Sequence, residues 1–203
     1  MQSVPTIGVL AIQGGVREHL HALELSGARG TLVKTRMQLD EVAALIIPGG
    51  ESSTMDKLAR TFGLMEPLRE ARAGGLPMFG SCAGMIMLAD RISGAIADQE
   101  SIGGLDITVE RNAFGGQTHS FETGIVIKGI RDPEQEFEGV FIRAPWVITA
   151  GESTDVIAEI SSGPHEGRIV GVRSDTLMAT SFHPELTADP RVHELFVEMV
   201  RNS

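Results

Sequence analysis

Cys82, the only cysteine of the chain, is the residue whose type and context best suit a nucleophile. It lies in the segment 78–84 (MFGSCAG), where an apolar run ends at a glycine and a second glycine follows the thiol by two residues. This pattern is typical of a sharp strand-to-helix turn that presents a side chain at its apex. Backbone N–H groups at the start of the following helix favour a thiolate there. The alternative is a cysteine buried only for packing, which is common for this residue type.

A histidine and a glutamate near the end of the chain are suited to serve such a thiol, and both lie in the segment 181–185 (SFHPE). We expect this segment to be extended, so that His183 and Glu185 project from the same side, and Pro184 restricts His183 to extended conformations. The carboxylate would orient the imidazole and stabilise its protonated form. Cys82, His183 and Glu185 are therefore the predicted nucleophile, base and orienting acid. An ordinary surface turn at 181–185 is the alternative.

A third segment, 48–54 (PGGESST), follows a predicted strand and precedes a predicted helix. Its two glycines allow close backbone approach, and its serines and threonine are good N-cap residues. The complete phosphate-binding pattern Gly-x-x-x-x-Gly-Lys-Ser/Thr is absent, so a phosphate cradle is the weaker interpretation. We expect the Gly49-Gly50 turn and the N–H of Ala83 to act as oxyanion donors. An ordinary strand-to-helix loop remains the alternative.

The elements that must position these segments alternate between strand and helix in the first half of the chain. Short apolar runs predict buried strands at 6–12, 30–34, 43–47 and 76–79. Apolar residues at helical spacing predict helices at 16–25, at 53–73 with a break near Gly63, and from Cys82 through Leu88. Such alternation implies right-handed crossovers and a mostly parallel sheet.

The second half consists mainly of short strand-like runs, for which we expect antiparallel pairing in several cases. A helix over 190–201 closes the chain, with Pro190 in its first turn and Asp189 as its N-cap. The sequence therefore predicts an α/β fold in a single domain spanning 1–203. Its central sheet is mostly parallel and flanked by helices, with additional antiparallel strands in the second half. These runs lie at 107–110, 121–127, 139–142, 156–160, 168–173 and 177–180.

The composition excludes several classes of protein. The 203 residues carry a net charge of -10 at pH 7 without a cluster of Lys and Arg, which argues against nucleic-acid binding. A single cysteine forms no internal disulfide, and the absence of a charged segment followed by a long apolar one leads us to expect neither a signal peptide nor a membrane span. No His/Cys/Asp cluster has the spacing of metal ligands, so we expect no metal ion. We also expect no other cofactor. A cytoplasmic enzyme, with no membrane association, is the resulting expectation.

The pattern Gly-x-Cys-x-Gly, together with the late His-x-Glu, resembles the class I, triad-type glutamine amidotransferases. Further segments are similar to one branch of them, the glutaminase subunit of the ribose 5-phosphate-dependent pyridoxal 5′-phosphate synthase. The resemblance runs from the first predicted strand to the last predicted helix. It is carried by the segments 8–14 (GVLAIQG), 17–19 (REH), 48–54, 110–115 (ERNAFG), 141–145 (FIRAP) and 181–186.

This resemblance implies a role for each matching residue. It makes Cys82 the nucleophile, completed by His183 and Glu185, and it places Gln13 near a contact with the synthase subunit. The residues that it implies in glutamine binding are Gly50, Glu51, Ser52, Arg111, Ile142 and Arg143.

The implied reaction converts glutamine to glutamate and ammonia. The ammonia passes internally to the synthase subunit, which joins it to ribose 5-phosphate and glyceraldehyde 3-phosphate to make pyridoxal 5′-phosphate. The resemblance also implies a glutaminase that is weak until this partner docks.

Two other functions remain open. One is a γ-glutamyl hydrolase of the same architecture that has no ammonia-accepting partner; Arg111 and the Ile142-Arg143 segment argue against it. The other is a non-catalytic α/β module whose cysteine senses redox state; His183-Pro184-Glu185 argues against it, because a sensor thiol needs no such base. The remaining histidines lack a comparable context, and we expect them to be surface or structural residues: His19, His21, His119, His165 and His193.

Overall fold

The computed structural model describes residues 4–113 and 120–203. The first half alternates between apolar runs, which form buried strands, and amphipathic runs, which form helices, as predicted. Its elements are β1 (Thr6–Leu10), α1 (Val16–Leu25), β2 (Arg29–Val33), α2 (Arg36–Leu39), β3 (Ala44–Ile47), α3 (Ser52–Thr61), α4 (Met65–Ala73), β4 (Met78–Ser81) and α5 (Ala83–Leu88).

The second half is mostly strand and ends in one long helix. All six strand-like runs predicted from the sequence form strands. The elements are β5 (Ala89–Ser93), β6 (Leu105–Glu110), β7 (Ser120–Ile127), β8 (Phe137–Ile142), β9 (Trp146–Ala150), β10 (Asp155–Ile160), β11 (Ile169–Arg173), β12 (Leu177–Thr180), a 3-10 helix (Pro184–Leu186) and α6 (Arg191–Arg201).

Within the described residues, the strands form one sheet in which parallel and antiparallel parts meet at β12. The parallel part has the order β2-β1-β3-β4-β12, and the antiparallel part continues as β11-β10-β7-β8. A branch of β5, β6 and β9 joins through antiparallel pairing of β9 with β11. The predicted α/β fold, with a mostly parallel centre and antiparallel strands in the second half, is confirmed.

The core lies on both faces of the sheet, because successive side chains of a strand point to opposite sides. On β3, Leu45 and Ile47 belong to one apolar cluster, whereas Ala44 and Ile46 belong to the other. Helices α3, α4 and α5 cover the first face, and α1 and α6 cover the second. Each fully buried isoleucine or leucine contributes roughly 1.5–3 kcal/mol to this packing.

Three adjacent strands bring the three chemically suggestive segments to one edge of the sheet. In the parallel register, Ile47 of β3 pairs with Gly80 of β4, and Ser81 of β4 pairs with Thr180 of β12. The carboxyl ends of these strands therefore lie side by side. The loops that follow them carry Cys82, His183 and the segment 48–54, as parallel-strand topology requires.

Several local predictions were wrong or incomplete. The sequence did not predict α2, β5 or β9, which span only four or five residues each. Asp189 is not the N-cap of α6: that position belongs to Pro190, and Asp189 accepts a hydrogen bond from the Arg191 N–H instead (3.0 Å). None of the described helices has the length and apolarity needed to cross a bilayer.

Candidate active site

Cys82 lies at the sharp turn between β4 and α5, in the N-cap position of the helix. Its backbone has φ 50° and ψ -104°, a conformation that side-chain-bearing residues rarely adopt, and its side chain is nearly buried. The flanking glycines, Gly80 and Gly84, allow neighbouring backbone segments to lie very close to them. A Cβ on Gly80 would collide with the backbone of Gly84, and a Cβ on Gly84 would collide with the Ile47 carbonyl oxygen. The predicted turn is therefore present, with the unusual φ carried by the cysteine itself.

His183 and Glu185 form a hydrogen-bonded pair, with 2.8 Å between Nδ1 and Oε1. Contrary to the prediction, the segment 181–185 is not extended throughout. Pro184 begins a 3-10 helix, because its fixed φ suits the first turn of a helix, and Glu185 lies in that turn. The His183 N–H donates to the Val140 carbonyl of β8 (2.9 Å), which holds the histidine backbone in place. The pair therefore forms by a different local geometry from the one expected.

The ionisation of the pair follows from its surroundings. Burial by itself would lower the pKa of His183, but hydrogen bonds to Cys82 and Glu185 outweigh it and raise that pKa to about 10. Burial would raise the pKa of Glu185, but nearby histidines, including its hydrogen-bonded partner His183, lower it. The side chains thus favour a protonated imidazole beside a carboxylate at neutral pH.

The loop after β3, residues 48–51, which we call the glycine loop, packs directly against His183. A Cβ on Gly49 would collide with the His183 ring and stand 3.4 Å from the Cys82 Cβ, so only glycine fits there. The N-cap of α3 is Glu51 rather than the predicted serine or threonine. Its carboxylate accepts hydrogen bonds from the N–H groups of Ser53 (3.3 Å) and Thr54 (2.7 Å).

These hydrogen bonds also set the charge of Glu51. Burial would raise the pKa of this carboxyl, but hydrogen bonds from the side chains and N–H groups of Ser53 and Thr54 lower it to about 2. Glu51 is therefore a carboxylate throughout the neutral range.

Arg111 lies at the centre of a polar network on the other side of the thiol. Its guanidinium donates to Glu51 Oε1 and to Gln99 Oε1, both at 2.8 Å. The amide of Gln99 in turn donates to Ser52 Oγ (3.1 Å). The predicted glutamine-binding residues Arg111, Glu51 and Ser52 are thus already connected to one another, and Gln99 completes the network.

These groups surround one cavity of about 400 Å³, a volume within the range of small-ligand sites. The cavity brings together every predicted site residue except Glu185, which lies behind His183. It is also lined by Gly49, Ile86 and Asn112. The predicted residues in its wall are Gln13, Gly50, Glu51, Ser52, Cys82, Ala83, Arg111, Ile142, Arg143 and His183.

The far wall of the cavity comes from the end of β8. Ile142 and Arg143 are both exposed, and the Cys82 Sγ lies 3.9 Å from the Ile142 carbonyl oxygen. Arg143 has φ 46°, and Asn112 on the opposing loop has φ 51°. The Ala113 N–H donates to the Ala144 carbonyl (3.0 Å) and joins the two loops.

Gln13 takes a position that the sequence did not predict in detail. Its Oε1 accepts a hydrogen bond from the Glu51 N–H (3.0 Å) and so connects the loop after β1 with the glycine loop. The predicted contact of Gln13 with a partner protein remains a prediction.

Two residues that sequence reasoning missed contact the predicted site residues. Gln99 lies in a loop without a recognisable motif, so no sequence signal indicates it. His19 lies in the segment 17–19, which the sequence marks only as part of the resemblance, yet its Nε2 stands 3.5 Å from Glu185 Oε2. Phe114, Gly115 and His119 lie outside the described residues. Across 4–113 and 120–203, no group of three His, Cys, Asp or Glu residues could hold a metal ion.

Fold and site together define an α/β protein built like the class I glutamine amidotransferases. The chain belongs to the SNO glutamine amidotransferase family, whose profile matches residues 9–202. Similar curated proteins bear the name pyridoxal 5′-phosphate synthase subunit PdxT. The one from Kineococcus radiotolerans is 56% identical over 97% of this chain and 95% of its own length. The one from Acidothermus cellulolyticus is 57% identical over 97% of this chain and 94% of its own.

Solved structures agree with this assignment. A crystal structure of a glutamine amidotransferase is 44% identical and has a TM-score of 0.86, covering 96% of this chain and 98% of that one. The crystal structure of a putative GMP synthase protein from Thermoplasma acidophilum has a TM-score of 0.66 at 16% identity, over 100% of this chain and 96% of that one. This second likeness concerns the fold alone.

Proposed function

We propose that this chain is the glutaminase of a pyridoxal 5′-phosphate synthase. It hydrolyses L-glutamine to glutamate and ammonia through Cys82, His183 and Glu185, and it delivers the ammonia to a synthase subunit. That subunit joins the ammonia to ribose 5-phosphate and glyceraldehyde 3-phosphate. The proposal includes a cytoplasmic location and a single glutamine amidotransferase domain spanning 1–203.

The observation that carries the proposal is that Cys82 and His183 line the same cavity, with Glu185 hydrogen-bonded to His183 Nδ1 behind it. A thiol beside an imidazole, which a buried carboxylate orients, is the arrangement that nucleophilic acyl transfer requires. The same cavity offers an arginine and a carboxylate, Arg111 and Glu51, for the charged α-groups of an amino acid. Family membership supports glutamine as that amino acid.

Acylation begins when the Cys82 thiolate attacks the side-chain carboxamide carbon of glutamine. N–H groups of Gly50 and Ala83 stabilise the negative charge that develops on the carbonyl oxygen, and one such donor is typically worth ~10²–10³ in rate. His183, held protonated by its two partners, donates its proton to the leaving nitrogen, so that ammonia departs. A glutamyl thioester on Cys82 remains.

Deacylation requires the opposite behaviour of His183. Its raised pKa depends in part on Cys82, and this contribution disappears when the sulfur is bound in a thioester. The imidazole, which has just lost its proton, therefore remains neutral and removes a proton from water. The resulting attack on the thioester releases glutamate and restores the Cys82 thiolate beside a protonated His183.

The partner follows from the relatives, which are named as subunits of pyridoxal 5′-phosphate synthase. Ammonia is mostly ammonium in neutral water and a poor nucleophile there, so direct transfer to the synthase subunit preserves its reactivity. We expect glutaminase activity to be low in the isolated chain and much higher in the complex.

The test is an assay of ammonia and pyridoxal 5′-phosphate with the chain alone and with its synthase subunit. We expect the complex to form both products and the chain alone to release little ammonia. Cys82→Ala should abolish ammonia release from glutamine, while His21→Ala, which alters an exposed histidine of α1, should leave it unchanged.

Undiminished turnover by Cys82→Ala would contradict the mechanism, and equal activity with and without the synthase subunit would contradict the activation. Hydrolysis of γ-glutamyl peptides in preference to glutamine would favour the γ-glutamyl hydrolase. A Cys82 that oxidises readily in a chain inactive towards both substrates would favour the redox module.

A further inference from the structure

A second polar cluster lies directly behind the proposed triad, buried between α1, β4 and α6. His19 and His193 are fully buried, and His19 Nδ1 lies 2.9 Å from His193 Nε2. On its other side, His19 Nε2 lies 3.0 Å from Ser81 Oγ and 3.5 Å from Glu185 Oε2. The proposed mechanism makes no use of either histidine.

Glu185 presents one unsatisfied oxygen to this cluster. Its Oε1 accepts from His183, whereas Oε2 has no hydrogen-bond partner among the described residues although it is buried. A buried carboxylate oxygen without a donor is costly, and His19 Nε2 is the nitrogen placed to relieve it.

Both buried histidines are neutral. Burial lowers the pKa of His19; Glu185 opposes this shift, His183 adds to it, and Glu18 opposes it more weakly. Burial is the main cause that lowers the pKa of His193 to about 3; a charge on His19 would lower it further, and Glu185 opposes the shift. A neutral imidazole has one N–H, so its tautomer decides what it offers to Glu185.

The surroundings favour one tautomer for each ring. If His193 carries its hydrogen on Nε2, it donates to His19 Nδ1, and His19 must carry its own hydrogen on Nε2, facing Glu185 and Ser81. His193 Nδ1, which has no partner within the described part of the chain, is then only an unused acceptor. The opposite tautomers would bury an unpaired N–H on His193 and would turn the His19 Nε2 lone pair towards the carboxylate.

We propose that His19 is a positioning residue, whose Nε2–H holds the second carboxylate oxygen of Glu185, and that His193 fixes the tautomer that makes this possible. This inference rests on the proposed function, because it assigns a task to His19 only if Glu185 orients His183. The chain of contacts runs from Cys82 through His183, Glu185 and His19 to His193. It links the reacting thiol to the first and last helices.

A pair of amide variants separates this task from simple packing. In His19→Gln, the side-chain amide nitrogen reaches the place of Nε2 and can still donate to Glu185. In His19→Asn, the amide reaches only the place of Nδ1, so the donor is lost. We expect His19→Asn to lower kcat for glutamine in the synthase complex about tenfold, with little change in KM, and His19→Gln to keep most of the activity.

The pH profile gives a readout that packing alone would not move. A Glu185 carboxylate with one donor fewer takes up a proton at higher pH, and a protonated Glu185 no longer stabilises the His183 imidazolium. The acidic limb of the kcat profile should therefore move to higher pH in His19→Asn but not in His19→Gln. The exposed His21→Asn on the same helix is the matched control and should match wild type.

Nitrogen-15 NMR of histidine-labelled wild-type chain tests the tautomers without reference to activity. We expect His19 to be neutral and protonated on Nε2, with His193 donating from its own Nε2. Observation of the Nδ1–H tautomer at His19 would overturn the inference.

The remaining outcomes are equally decisive. Wild-type kcat and pH profile in His19→Asn, or an equal loss in both amide variants without a shift of the acidic limb, would also overturn it. If His19→Asn fails to fold, the NMR result decides. A wild-type complex that releases no ammonia would refute the proposed function, and the NMR measurement would still decide the tautomer of His19 on which the inference depends.

Discussion

Cys82 concentrates backbone strain at the position where the proposed chemistry takes place. A side-chain-bearing residue at φ 50° and ψ -104° costs on the order of 1–3 kcal/mol, which the surrounding packing must offset. The buried ends of β3 and β4 and the first turn of α5 provide that packing. Because Cys82 lies directly between β4 and α5, these two elements hold the thiol at the cavity wall together with His183.

Gln99 gives a residue-scale prediction about substrate affinity. In Gln99→Leu, Arg111 and Ser52 lose their shared hydrogen-bonding partner, while the side chain keeps a similar volume. We expect the KM for glutamine to rise about tenfold and kcat to stay within about twofold, because Gln99 positions binding groups and does not contact Cys82. Steady-state glutaminase kinetics in the synthase complex measure both constants.

Gln135→Leu is the matched control, since Gln135 is exposed on a loop distant in sequence from this network. A loss of kcat at unchanged KM in Gln99→Leu would show that the network serves the reaction rather than binding.

The close packing of α5 against β3 gives a prediction at the scale of elements. In Gly84→Ala, the new Cβ would collide with the Ile47 carbonyl oxygen, so helix and strand must move apart. Both elements lead directly into the cavity. We expect a loss of about 1–3 kcal/mol in the free energy of unfolding and a marked loss of glutaminase activity. Urea unfolding and the coupled assay measure the two effects.

Gly74→Ala is a suitable comparison, because Gly74 also has a negative φ (-76°) at a helix end and its Cβ would stop 3.3 Å from the nearest carbonyl oxygen. It should affect stability much less and leave activity unchanged. Similar losses in the two variants would mean that the contact between Gly84 and Ile47 is not what limits the site.

At the scale of the whole molecule, the buried histidines determine how stability responds to mild acid. The pKa of His193 is lowered to about 3, from an ordinary value of 6.5, first by burial and then by His19. The folded state therefore binds fewer protons than the unfolded state, and stability is lost as pH falls through about 6.5. The raised pKa of His183 acts in another window: its contribution is complete below pH 6.5 and is lost as pH rises towards about 10.

We therefore expect the free energy of unfolding to decrease between pH 6.5 and about pH 5, with about 1.5 kcal/mol of the decrease due to His193. The carboxylates with lowered pKa values, Glu51 and Glu185, contribute only at lower pH. Urea unfolding at both pH values measures the slope. His193→Gln should flatten it and the exposed His21→Gln should not; an unchanged slope in His193→Gln would contradict this account.

Much of the fold could be predicted because local patterns were strong. The spacing of apolar residues predicted α1 with its observed bounds, Val16–Leu25, and placed the first four strands within two residues at each end. The short strands β5 and β9 were missed because their pairing depends on distant partners rather than on their own residues. The turn at Pro184–Leu186 was predicted as extended, although a proline suits both conformations.

The sequence alone determined the residue types, the glycine spacings around Cys82 and the order of most strands and helices. They determined an α/β sheet with a thiol, an imidazole and a glycine loop at the ends of strands. Only the tertiary structure decided that β3, β4 and β12 are neighbours, that Gln99 connects Arg111 with Ser52, and that His19 stands behind Glu185. These contacts join residues far apart in the chain, and their distances depend on how the helices and strands pack against one another. No local sequence pattern encodes this packing.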